Sequence, residues 1–136
     1  YRDGERWVTP RRIFYLNVEA DAASTTNGIL FIVNEQELAR FDAREWIYDR
    51  VDVSAALHGV SVENGSAWVY CGKPEYVSAH PATPEEGAIR RTYLDILDAG
   101  HRALGADFVR AYDASTDAVP PSLVVDDVRR DDVSIV

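Results

Sequence analysis

The amino-acid sequence predicts an α+β domain, or a small barrel with helices outside it. Strand-like segments crowd the first half of the chain, helical ones the second, and one short helix is embedded among the strands. The 136 residues, 46% of them hydrophobic, suit one domain with a core and are too few for two. About two-thirds of the unfolded surface is buried at this size. A parallel nucleotide-binding sheet is disfavoured, because strands and helices do not alternate.

Trp7-Val8-Thr9-Pro10 and residues 11–18, with Ile13, Tyr15 and Leu16 among extended-compatible neighbours, predict one strand whose Pro10 suits an edge. Residues 21–28 are small and polar and end in Asn27-Gly28, a turn before Ile29-Leu30-Phe31-Ile32-Val33. That unbroken apolar run predicts a buried strand. Asn34-Glu35-Gln36-Glu37 matches a capping box, Val33 and Leu38 have the spacing of a hydrophobic staple, and Leu38 with Phe41 forms a short apolar stripe. A helix of two to three turns is predicted there. From Tyr48 to Val53 polar and apolar residues alternate, as in a strand wet on one side. Val60–Glu63 and Ala67–Cys71 flank Asn64-Gly65 and predict a hairpin, because both turn residues tolerate positive φ.

Thr83-Pro84-Glu85-Glu86 predicts the start of the longest helix, with Ile89, Tyr93, Ile96, Leu97, Gly100 and Leu104 at helical spacing and Gly105 as its stop. Asp107 is placed to cap a shorter helix carrying Phe108, Val109 and Tyr112. Pro120-Pro121 breaks any continuation, Leu123-Val124-Val125 predicts a last extended piece, and residues 126–136 are expected to be a mobile tail. No internal repeat is visible.

Fourteen Lys and Arg against twenty-three Asp and Glu leave a formal charge of −9, which repels the phosphate backbone and disfavours nucleic acid as a partner. No stretch approaches the ~20 apolar residues that span a bilayer, and no basic amphipathic helix suggests membrane binding. The single Cys71 excludes an internal disulfide framework and fits a cytoplasmic protein. His58, His80 and His101 lack the spacing of a zinc site, so no metal is expected. The chain has no methionine and no signal peptide, and reads as missing its native start.

Glu45 is the first candidate for chemistry. It follows Leu38 by seven residues and Phe41 by four, so a helix one turn longer places it on the stripe that faces the core. Desolvation raises a carboxyl pKa and keeps a proton exchangeable near neutral pH, as general acid–base work needs. The competing reading ends the helix earlier and leaves Glu45 in water or paired with Arg44 or Arg50. Tyr93 lies on the apolar stripe of the long helix, where its hydroxyl needs a polar partner or a cavity. Trp46, Tyr48, Trp68 and Tyr70 read as packing residues, and Cys71 as a small buried side chain. No phosphate-cradling glycine loop and no Gly-x-Ser-x-Gly occurs.

The runs Gly28–Val33, Glu37-Leu-Ala-Arg-Phe41-Asp42-Ala-Arg-Glu45 and Tyr48–Val53 resemble the gamma-glutamylcyclotransferase-like family, in which a strand leads into a short helix ending Leu-Asp-x-x-Glu-Gly. The resemblance continues through Ala67-Trp68-Val69-Tyr70, Tyr93–Gly100 and residues 107–116. It implies a small mixed β-barrel with helices packed outside, over residues 1–125, lacking the N-terminal strand and loop. It also implies cyclisation of a gamma-glutamyl group to 5-oxoproline with release of an amine or amino acid, without cofactor. Glu45 is then the acid/base, and Tyr48 and Tyr93 bind the small-molecule substrate. The family's Tyr-Gly-Ser/Thr-Leu loop does not occur here, and Trp46 stands where a glycine usually follows the glutamate. The lost strand leaves an exposed edge and a possible homodimer. The alternative is a non-catalytic small-molecule-binding or interaction domain on the same fold, with Glu45 exposed or ion-paired.

Overall fold

Three helices and three two-stranded sheets form among residues 1–78 and 81–126, the part of the chain that the computed structural model describes. The expected tail lies outside the described residues from 127 onward, as does His80. The architecture is mixed α+β, as the sequence predicts, and none of the sheets closes into a barrel among the described residues. The chain divides into two compact units, one of residues 1–15, 24–27 and 81–126, the other of residues 16–23 and 28–78.

The first unit holds most of the buried apolar side chains. Strand β1 (Arg2–Asp3) pairs antiparallel with β2 (Arg6–Trp7), and β5 (Ile89–Arg90) pairs parallel with β6 (Val124–Val125), in register Ile89 to Val124. Val8, Ala88, Ile89, Leu123 and Val125 are buried. Each of the larger ones contributes roughly 1.5–3 kcal/mol by leaving water. The strand predicted over residues 7–18 survives only as Trp7 in β2 and one parallel bridge, Ile13 to Ala88, with Phe14 N–H donating to the Ala88 carbonyl at 2.9 Å and Ala88 N–H to that of Arg12 at 3.1 Å.

The long helix starts later than its capping signal. Thr83 does open a turn, its carbonyl accepting from Glu86 and Gly87 N–H, and Glu86 Oε2 accepts from Ala82 N–H at 3.1 Å. That turn is not continued, because Ala88 pairs with Ile13, and Ile89 and Arg90 with β6. Phe14 presses on Gly87 so closely that a Cβ there would lie 2.0 Å from its ring. Helix α2 therefore runs Arg91–Ala103 and is still the longest. Gly105, at φ 100°, ends it and itself caps α3 (Ala106–Ser115), while Asp107, expected as the cap, sits in the first turn and pairs with Arg110. His101 stacks 4.0 Å from Tyr112 and 5.5 Å from Phe108, which seats α2 on α3.

The second unit is built on α1 (Glu35–Arg44) and the antiparallel pair β3 (Tyr48–Asp52) and β4 (Trp68–Gly72). The Asn34 box forms as predicted: Glu37 N–H donates to Asn34 Oδ1 and Asn34 N–H to Glu37 Oε2, both at 2.9 Å. The hairpin around Asn64-Gly65 does not. A two-residue type I′ turn needs positive φ at both central residues, and only Gly65 has it. Strand β4 instead pairs with β3, in register Arg50 to Tyr70. The long connection is closed by Ser54, whose Oγ donates to Asp52 at 2.6 Å and accepts from Ala67 N–H at 2.8 Å. The buried strand expected at residues 29–33 is also absent: no strand among the described residues pairs with it, and Ile29 to Ile32 are exposed.

Candidate functional site

Glu45 owes its position to where α1 ends. The Asn34 cap fixes the start, ten residues follow, and Glu45 becomes the C-cap, its N–H donating to the Phe41 carbonyl at 2.8 Å and its own carbonyl accepting from Tyr48 N–H at 2.8 Å. Over residues 35–45 only Leu38, Phe41 and Glu45 are not exposed, but α1 does not run the extra turn that would place Glu45 on a core-facing stripe: it ends at Arg44, has no buried side chain, and leaves Glu45 paired with Arg44, as the competing reading expects. Its side chain is 25% exposed and accepts a 2.7 Å charged hydrogen bond from Arg44 Nε.

The strand pair β3–β4 follows α1 in the chain. Side chains alternate across a strand, so Tyr48, Arg50 and Asp52 share a face with Trp68, Tyr70 and Gly72. On that face Tyr70 Oη donates to Asp42 Oδ1 at 2.7 Å, and Arg50 Nη1 meets Asp42 Oδ2 at 2.9 Å. The Arg50 guanidinium lies 4.7 Å from the centre of the Trp68 ring. Burial pushes the Tyr70 phenol above its ordinary range, helped by the hydrogen bond to Asp42 and the charges of Asp42 and Glu45, against the opposing pull of Arg50. The opposite face carries Asp49 beside Cys71, whose thiol is raised by burial and then by Asp49. Just past β4, Lys73 Nζ donates to the Trp46 carbonyl at 2.7 Å, and the Trp46 ring packs edge-on to Tyr76 with centroids 5.3 Å apart.

Of the three residues singled out from the sequence, Glu45 and Tyr48 lie in this second unit, and Tyr93 in the first, on α2, its ring edge-on to Tyr15 at 5.1 Å. Asp42, Arg50 and Tyr70 were not singled out. The i, i+3 spacing of Asp42 and Glu45 and the shared strand parity of Tyr48 and Arg50 are the signals that could have found them. A cavity lined by Arg11, Arg12, Phe14, Pro81 and Glu86 belongs to the first unit and is lined by none of these groups. Among the described residues no group of three or more His, Cys, Asp or Glu could hold a metal ion. No protein-family model, no curated protein and no solved structure matches this chain.

Proposed function

We propose that this chain is a gamma-glutamylcyclotransferase-like enzyme with Glu45 as its acid/base. The observation that carries the reading is a carboxylate only 25% exposed at the end of α1, near enough to Tyr70 for its charge to act on that phenol. Glu45 takes a proton from the α-amino group of a gamma-glutamyl substrate. The amine nitrogen attacks the gamma-carbonyl carbon, a five-membered lactam forms, the bond to the leaving nitrogen breaks, and that nitrogen leaves with the proton from Glu45. Tyr48 contributes to the binding of a small, soluble substrate, and the closed barrel and cytoplasmic setting of the resembling family belong to the same proposal.

The experiment is 5-oxoproline release from a panel of gamma-glutamyl dipeptides and amines, by the parent chain and Glu45→Gln. Loss of at least about a hundredfold in Glu45→Gln is expected, as for removal of a general acid–base group. Full turnover in that variant would sink the reading. A second reading, a binding domain without turnover, is favoured by the Arg44–Glu45 ion pair. Saturable binding of panel members to a parent chain that releases no 5-oxoproline would establish it.

A further inference from the structure

We propose that Asp42 and Tyr70 are positioning residues for Glu45. This rests on Glu45 being the acid/base and adds to it the device that holds the group still. A proton shuttle serves two nitrogens in turn, and a displacement of about 1 Å costs up to a hundredfold in rate. Glu45 is the cap of a ten-residue helix, in the turn that would otherwise fray. Three residues earlier Asp42 leaves that same turn and crosses to the strands, where Tyr70 Oη engages one carboxylate oxygen at 2.7 Å and Arg50 the other at 2.9 Å.

Both oxygens of Asp42 are thereby occupied, by one donor from each strand. Arg50 is itself fixed over Trp68. Arg50 and Tyr70 are directly opposed in the strand register, so the anchor straddles β3 and β4. The last turn of α1 is bound to the sheet from which Tyr48 N–H reaches the Glu45 carbonyl. Asp42 and Tyr70 need touch no substrate; their effect is transmitted through Glu45.

The test compares the parent chain with Asp42→Asn, Tyr70→Phe, Glu45→Gln and the Asp42→Asn/Glu45→Gln double variant, all near-isosteric. Steady-state 5-oxoproline release is measured together with amide hydrogen exchange at Glu45 and Tyr48. Each positioning variant should lower kcat about tenfold while KM stays within about twofold, because geometry at the reacting atoms is lost and binding is not. Exchange at the two amides should accelerate. The double variant should be no slower than Glu45→Gln alone, since nothing remains to be positioned. Parent-like kcat in Asp42→Asn and Tyr70→Phe beside an inactive Glu45→Gln would overturn this inference and leave the function standing. A further loss in the double variant would also overturn it. An inactive parent, or a fully active Glu45→Gln, would overturn the function and this inference with it.

Discussion

Tyr70 reports on the cluster around Asp42 through its own titration. Its phenol is raised above the ordinary 10.0 by burial first, then by donation to Asp42 and by that residue's charge. Asp42→Asn removes the charge and keeps the shape, so the Tyr70 midpoint should fall, read from the ring-carbon shifts of tyrosine-labelled protein with Tyr70→Phe as the assignment. A raised folded value means that the folded state holds this proton longer than the unfolded chain does. The stability it contributes is complete below the ordinary value and is lost as pH rises through the folded one. An unmoved midpoint in Asp42→Asn would show that the 2.7 Å contact does not persist in solution. For Glu45 the helical period of Leu38 and Phe41 overran the helix, which stops at Arg44, and the pairing with Arg44 was the part the sequence made legible. Asp42 was not legible, since an exposed acid on a helix reads as solvated until its partner, 28 residues away on β4, is known.

Among the elements, α1 is the one whose start is written most locally. The Asn34 side chain and Glu37 satisfy each other's backbone N–H, and the helix has no fully buried side chain to compensate for their loss. Asn34→Ala should therefore destabilise the second unit by about 1 kcal/mol, measured as a shift of the urea midpoint at unchanged slope. A midpoint equal to the parent's would mean that contacts elsewhere set where α1 begins. The contrast with the other elements is physical. The Asn34 cap, the Gly105 stop and the strand at Tyr48–Asp52 depend on neighbours a few residues away, and these formed as read, whereas the Thr83 and Asp107 caps did not and β3 does not alternate in burial. Pairing depends on distant partners: β4 joined β3 across a long connection, Thr83 lost its helix to the pairing of Ala88, and the apolar run 29–33 found no strand. No local pattern records such competitions.

For the molecule as a whole, charge and exposed apolar surface act in opposite directions. Four consecutive residues, Ile29, Leu30, Phe31 and Ile32, are 65, 53, 65 and 99% exposed, while the chain carries a formal charge of −9. No helix among the described residues is long and apolar enough to cross a membrane. A contiguous apolar run in water favours burial against another surface, at about 25 cal/mol for each Å² covered. Like charge opposes the approach of a second copy over a Debye length of about 10 Å at 0.1 M salt, which shrinks to about 3 Å at 1 M. Association should therefore grow with sodium chloride concentration, the reverse of what an ion-pair interface would do. Ile32→Glu places a charge at the most exposed point of the run and should suppress association at every salt concentration. Sedimentation velocity across a concentration series measures both effects. A parent chain that stays monomeric at high salt would show that this run does not drive self-association, and association unchanged in Ile32→Glu would place the contact elsewhere on the surface.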